Sequence, residues 1–264
     1  EALPVNLNEN RAWARAVHHA IKSAYLDKKE QKTLDDAERF TSKSWAKKRA
    51  AGTPFMTGFI NDSSSKEIKD SIPRIQNDPE GHTSHLTIVD KNGMIVSLTQ
   101  TIGPTMGSKV ATPGLGFLYA QTMGGYLGKV EPNLRVPSHI SPIIVFKKDK
   151  PFLALGAAGG SRIPSSIVNV ISRIIDHDLS LEEALNSPRV HPLEEGISLE
   201  IVDNVSWNNN DSTYFSKLGY MVEMKRIPGK FGRIHAVILD TLTGEWIGCA
   251  DPDWEGTSAF PILE

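Results

Sequence analysis

Polar and apolar residues alternate from His85 to Asp90 and again from Met94 to Thr101, with Lys91-Asn92-Gly93 between the two runs. A period of two marks strands with one buried face, and Asn-Gly supplies the positive φ angles of a tight turn. The middle of this chain is therefore committed to a β-hairpin, and a sheet of that kind has to be covered on its apolar side. At its head stands Gly81-His82-Thr83-Ser84-His85-Leu86-Thr87-Ile88-Val89-Asp90. Threonine suits strands, and Thr-Ser-His before an apolar alternation is an ordinary way to begin one. Scission of the bond between His82 and Thr83 would give Thr83 a second capacity. A free α-amine has an unperturbed pKa of roughly 8, so near neutral pH an appreciable fraction can accept the proton of the neighbouring hydroxyl. No histidine or aspartate partner would be required.

On the N-terminal side of the hairpin the period is helical. Trp13, Val17, Ala20, Ile21, Ala24 and Tyr25 share one face, which predicts an amphipathic helix over roughly residues 9–31, and a second helix is expected from about Ser42 to Ala51. From Asn61-Asp62-Ser63 to Pro79-Glu80-Gly81 the sequence is polar, carries Pro73 and Pro79 and keeps no period, so about 61–82 reads as an exposed linker where a chain break costs little packing. Beyond the hairpin, Ile143–Lys147 and Pro151–Ala157 form a second strand pair across Lys148-Asp149-Lys150. Gly159-Gly160-Ser161-Arg162 then leads into a helix from about Pro164 to Asp176, and Ser180-Leu181-Glu182-Glu183 is a capping box opening a short helix ended by Pro188. Strands return at Met221–Lys225, Ile234–Asp240 and Glu245–Ala250. Strands, then helices, then strands imply sheets covered by helices in layers.

Composition excludes more than it assigns. The 264 residues are 39% apolar and 23% charged with a formal net charge of -2, and the basic residues are dispersed, so nothing points to nucleic acid. No apolar stretch approaches the roughly 20 residues a membrane span needs. A single cysteine, Cys249, rules out an intramolecular disulfide and a cysteine metal site, and its small neighbours suggest a packed residue. Glu1 is not an initiator methionine and no leader follows it, so the chain reads as the mature or truncated part of something longer.

The run from Thr83 to Asp90 resembles the processing site of the γ-glutamyltransferases, members of the N-terminal-nucleophile hydrolase superfamily. The resemblance is weak over residues 9–51, strong from Thr83 to about Pro192, and returns at Asp251-Pro252. It implies an α+β fold, a four-layer αββα sandwich. It also implies self-cleavage between His82 and Thr83, with residues 1–82 as the end of a large subunit, 83–264 as the small catalytic one, and the two together as one structural domain. The family places a second threonine eighteen residues on, whose hydroxyl orients the nucleophile; Thr101 stands at that offset. Leu155-Gly156-Ala157-Ala158-Gly159-Gly160-Ser161-Arg162 is similar to the segment whose paired glycines present backbone N–H groups to the oxyanion, which assigns that role to Gly159 and Gly160. Arg135-Val136-Pro137-Ser138-His139-Ile140-Ser141-Pro142 resembles the segment in which a serine pair holds the substrate α-carboxylate. Ser138 keeps a hydroxyl, and His139 replaces the second serine.

Two departures bear on substrate. Gly124 and Gly125 occupy the place where the family has an aspartate pair that binds the free α-amine, and Gly103 stands where it has an asparagine. Loss of the anion removes a charge-assisted contact worth about 1.5–3 kcal/mol, which makes glutathione a poor candidate. Gly124 and Gly125 also widen the pocket toward a donor whose nitrogen is already an amide, as inside poly-γ-glutamate, so the chain looks more like capsule-polymer depolymerases and transpeptidases than like glutathione-processing members. Arg162, Arg189, Arg226 and Arg233 are candidate clamps for an anionic polymer, and only Arg162 sits in a matching motif. The expected activity is cleavage or transfer of γ-glutamyl-type amides to water or an amine, without metal or organic cofactor. Partners would be the missing large-subunit segment and the substrate, in an exported protein as is common in the family. An amidase or acylase of the same fold acting on a non-glutamyl acid, and an unprocessed, inactive binding homologue, are the competing readings.

Overall fold

The computed structural model describes residues 9–31, 33–51, 81–122, 138–203 and 206–260. Gly124, Gly125 and linker residues 61–80 lie outside them. In chain order the helices are α1 (Asn10–Glu30), α2 (Leu34–Thr41), α3 (Lys43–Ala51), α4 (Ile163–Asp176), α5 (Leu181–Asn186) and α6 (Asn209–Lys217). The strands are β1 (Gly81–Val89), β2 (Ile95–Pro104), β3 (Ile143–Lys147), β4 (Lys150–Ala158), β5 (Val190–Pro192), β6 (Gly196–Glu200), β7 (Met221–Lys225), β8 (Arg233–Leu239) and β9 (Trp246–Ala250). They belong to two compact units, Glu1–Gln76 with Pro188–Arg226, and Asn77–Ser187 with Ile227–Glu264. The division does not follow residue 83, since the first unit combines chain from both sides of it.

In the first unit, α1 buries part of the face predicted for it: Trp13, Val17 and Ile21 pack with Ile197, Leu199 and Phe215, whereas Ala20 and Ala24 are exposed and Ala14 and His18 are buried instead. The Glu9 carboxylate caps its N-terminus by accepting from the Arg11 and Ala12 N–H groups. Asp27 ties α3 to α1, accepting from Trp45 Nε1 at 2.8 Å and from Arg49 Nε at 2.9 Å. β5 runs antiparallel and β7 parallel to β6.

The second unit holds the hairpin. β1 and β2 pair antiparallel, and β3, β4, β8 and β9 form a four-stranded sheet in the order β3-β4-β8-β9. The hairpin packs on one face of β4 and β8, and α4 covers the other. Strand alternation explains the partition. Leu153, Leu155 and Ala157 of β4 and Ile234 and Ala236 of β8 point to the α4 side, where they meet Ile163, Ile167 and Val170. The intervening Gly156, Ala158, Arg233 and His235 face the hairpin. Three layers are thus built here: hairpin, sheet and helices. The hairpin's outer face carries Leu86, Ile88, Val96 and Leu98, all exposed, with Leu86 opposite Leu98 and Ile88 opposite Val96. In a four-layer sandwich this is the face a further helical layer covers.

Two details differ from the sequence expectation. β1 begins at Gly81 rather than beyond Thr83, so residues 81–82 belong to the strand and not to the linker, and the His82–Thr83 bond lies within it. At the hairpin tip, only Gly93 takes a positive φ, and the Asp90 carboxylate holds the rest of the turn by accepting from the Asn92 and Met94 N–H groups at 2.8 Å each.

Candidate active site

Thr83 and Thr101 are cross-strand partners in the β1–β2 ladder, and the Thr83 hydroxyl donates to Thr101 Oγ1 at 3.2 Å. Thr101 Oγ1 also accepts from the Gly103 N–H at 3.0 Å, which fixes the position of the second hydroxyl from the backbone. A register irregularity sits between Gly81 and Thr83, immediately at the candidate scissile bond. The spacing of eighteen therefore has a physical origin. It is the distance along the chain between two residues that face each other across this hairpin.

Thr83 lines a cavity of about 230 Å³ with Ser84, His85, Ala158, Arg233, His235, Trp254 and Glu255. Ala158 is the last residue of β4, and Gly159-Gly160 follows directly. Gly159 has φ +140 and ψ 24, and a Cβ there would lie 2.9 Å from Gly232 Cα, so the turn after β4 is open only to glycine. From Gly160 a single 3₁₀ turn leads into α4, whose N-terminus carries Pro164. Thr83 and Thr101 thus face each other across the hairpin, and Thr83 shares its cavity with Ala158, whereas Thr101, Gly159 and Gly160 do not line that cavity.

His85, two residues along β1, packs inward beneath Thr83. One ring nitrogen bonds Thr99 Oγ1 at 2.7 Å and the other Thr87 Oγ1 at 2.8 Å. The ring lies on Gly156, where any Cβ would come within 2.3 Å of it. Burial, reinforced by the nearby His235, lowers its pKa to about 4. His18 in the first unit, bonded to the Gly196 carbonyl at 2.9 Å, is likewise lowered by burial to about 4. Both titrate near 6.5 when unfolded, so the unfolded chain takes up protons first. Stability held at neutral pH is then lost as pH falls from about 6.5 toward 4, the window set by these two shifts. The thermal midpoint should drop over that interval, and His85→Gln should make the drop shallower. An unchanged slope would mean that His85 is not kept neutral by the fold.

The remaining expected residues are placed as follows. Ser138 and His139 lie in the segment before β3. Ser138 Oγ accepts from the Ile140 N–H at 3.1 Å, the His139 carbonyl accepts from Ser141 Oγ at 3.0 Å, and neither lines the Thr83 cavity. Arg162 is turned inward: it is buried, its guanidinium 4.9 Å from the centre of the Phe231 ring, and it does not line that cavity. Arg226 pairs with Asp203. Cys249 is half-buried against the core and burial pushes its thiol up, the opposite of what a nucleophile needs. His235, Trp254 and Glu255 were not legible as site residues, and Arg233 carried no motif. The available signal was the strand alternation that puts Arg233 and His235 on one face of β8.

Gly103, where the family has asparagine, is packed against the chain that follows β2: a Cβ would meet the Gln121 carbonyl oxygen at 2.6 Å. The Gln121 N–H in turn donates to the Ile102 carbonyl at 2.8 Å. The space that a side chain would fill is taken by backbone.

The gamma-glutamyltranspeptidase family profile matches residues 7–260. The glutathione hydrolase proenzyme of Bacillus subtilis is 27% identical over 227 residues, which are 80% of this chain and 35% of that protein. The chain thus spans about a third of the length of this curated relative. A solved mutant of Helicobacter pylori gamma-glutamyltranspeptidase superposes with a TM-score of 0.56 at 29% identity, covering 65% of this chain and all of that one. A cephalosporin acylase from Bacillus halodurans gives 0.71 at 20% identity over 96% of this chain and 47% of its own, a likeness of fold alone. The α+β fold is therefore that of the N-terminal-nucleophile hydrolases, and the chain belongs to the gamma-glutamyltranspeptidase family.

Proposed function

We propose that this protein matures by cleavage before Thr83 and then breaks or transfers γ-glutamyl-type amide bonds. The observation that carries the reading is the Thr83 hydroxyl, which donates to Thr101 Oγ1 and borders a cavity also lined by Ala158, the residue that precedes Gly159-Gly160. Thr83 Oγ1 attacks the amide carbonyl while its own α-amine takes the hydroxyl proton, and Thr101 holds the rotamer. The Gly159 and Gly160 N–H groups receive the oxyanion. Collapse breaks the C–N bond, the α-amine returns the proton to the departing nitrogen, and an acyl-threonine remains. Water releases it as acid, whereas an acceptor amine makes a new amide.

Ser138 and His139 are assigned to the donor α-carboxylate. Gly124 and Gly125 supply no anion for a free α-amine, and backbone fills the space beside Gly103. Both favour an N-substituted or poly-γ-glutamate-like donor over glutathione. Arg162, buried under Phe231, is read as a support for the oxyanion turn rather than a direct substrate clamp. Residues 1–82 are assigned to the large subunit and 83–264 to the small one, with upstream large-subunit chain covering Leu86, Ile88, Val96 and Leu98. An exported location follows the family, and among the described residues no helix is long and apolar enough to cross a membrane.

Mass spectrometry of the purified full-length protein tests the reading. A fragment beginning at Thr83, together with glutamate release from poly-γ-glutamate, is expected. A chain that stays intact and inactive would favour a binding role, and a cleaved chain active only on non-glutamyl amides would favour an acylase.

A further inference from the structure

The wall of the Thr83 cavity formed by β8 carries one fixed cation, Arg233, beside His235, whose imidazole burial favours in the neutral form, and no step of the mechanism uses either. Arg233 and His235, two apart, both face the hairpin side of the sheet, opposite Ala158 and Gly156 of β4. The Arg233 guanidinium stacks 4.6 Å from the centre of the Trp254 ring, and Trp254 lines the same cavity. Among the described residues, neither the Arg233 Nε atom nor the His235 Nδ1 atom, both buried, has a hydrogen-bond partner. Arg233 is half-buried beside the Trp254 ring, and the Asp251 carboxylate acts on it and on His235 from within the protein, while its Nε is left free to donate toward an anion in the cavity.

Sheet order says which part of the substrate would bring that anion. Ile143 of β3, which the Ser138–Ser141 segment precedes, pairs with Leu155 on one side of β4, whereas Arg233 pairs with Ala158 on the other. The donor carboxylate site and the Arg233–His235 wall therefore flank the diglycine turn on opposite sides. With the scissile carbonyl at that turn and the acyl group toward Ser138, the leaving amine lies toward β8. We propose that Arg233 and His235 form a carboxylate-binding subsite for the leaving group, selecting amides whose released amine carries a carboxylate. Glu255, exposed in the same cavity, repels an anion placed near it, so the carboxylate sits on the Arg233 side. A cavity of about 230 Å³ takes one amino-acid-sized group. This inference rests on the amidase reading above.

Two chromogenic donors separate the terms: γ-glutamyl-4-nitroanilide, whose leaving amine is neutral, and γ-glutamyl-3-carboxy-4-nitroanilide, whose leaving amine bears a carboxylate. The quantity read is the ratio of their kcat/KM values in the matured full-length enzyme. Arg233→Gln should lower that ratio by about 10- to 100-fold, the scale of one charge-assisted contact, and Arg233→Lys should restore part of it. In the unaltered enzyme the carboxylated aniline should inhibit at least about tenfold more tightly than the neutral one, a comparison that needs no variant to fold. Activity on both donors, with a ratio untouched by the substitution and equal inhibition by the two anilines, overturns the subsite alone. Hydrolysis of neither donor nor of poly-γ-glutamate overturns the amidase reading and the subsite with it; where poly-γ-glutamate alone is cut, the two anilines are compared as inhibitors of that reaction, and equal inhibition overturns the subsite.

Discussion

Thr83→Ala is expected to yield a protein that stays in one piece and is inert, with kcat at least about 10⁴-fold below that of the matured enzyme. In the proposed mechanism the same hydroxyl does two jobs, opening the chain at His82–Thr83 and attacking the substrate, so its removal abolishes both. Its structural cost is small. Thr83 is half-buried at the end of a hairpin, and the substitution removes one hydroxyl bond to Thr101, worth about 1 kcal/mol. A thermal midpoint close to that of the unaltered precursor would therefore accompany complete loss of function. Thr83→Ser keeps the hydroxyl and should still cleave, more slowly, because serine lacks the methyl group that restricts χ1. The intact mass and the N-terminal sequence of the small fragment read the first effect, and donor hydrolysis the second. Residual turnover by Thr83→Ala within about tenfold of the parent would assign the chemistry to another residue.

How far such a site is readable in advance depends on the range of the interactions that build it. The hairpin is local: the turn at Asn92-Gly93 fixes the register, and the register alone brings Thr101 opposite Thr83. The diglycine turn is local as well. α2 and α6 are short and only weakly apolar, and each is secured by a capping box, Thr33 with Asp36 and Asn208 with Asp211. Those spacings are in the sequence, yet helices of 8 and 9 residues hold too few turns for a helical period to stand out. β6 is buried along its whole length, so it lacks the alternation that exposes a strand. Arg162 sits in a matching motif, but the direction of its side chain is decided by Phe231, sixty-nine residues away along the chain. The same holds for the Arg233–Trp254 stack, which only strand pairing and the chain after β9 create.

Gly159→Ala is expected to lower kcat of the matured enzyme by about 10²- to 10³-fold with little change in KM, the signature of a missing oxyanion donor. At φ +140 the residue occupies backbone space that side chains rarely enter, and the new methyl would stand 2.9 Å from Gly232 Cα. That neighbour has no rotamer to change. Nor can it retreat, because Gly232 is itself pressed against Ser166 of α4, where even a Cβ would find the hydroxyl oxygen at 2.4 Å. The strain is therefore relieved by moving the turn, which in the proposed reaction aims the N–H groups at the substrate. Gly93→Ala supplies the comparison: it also has a positive φ, +83, but nothing lies within 4 Å of its Cβ. It should cost about 1 kcal/mol of stability and leave turnover intact. Steady-state kinetics of both variants beside their thermal midpoints separates the two effects. Equal kinetic losses, or a Gly159→Ala enzyme with unchanged kcat, would remove the diglycine turn from the catalytic step and leave it as a packing device between β4 and α4.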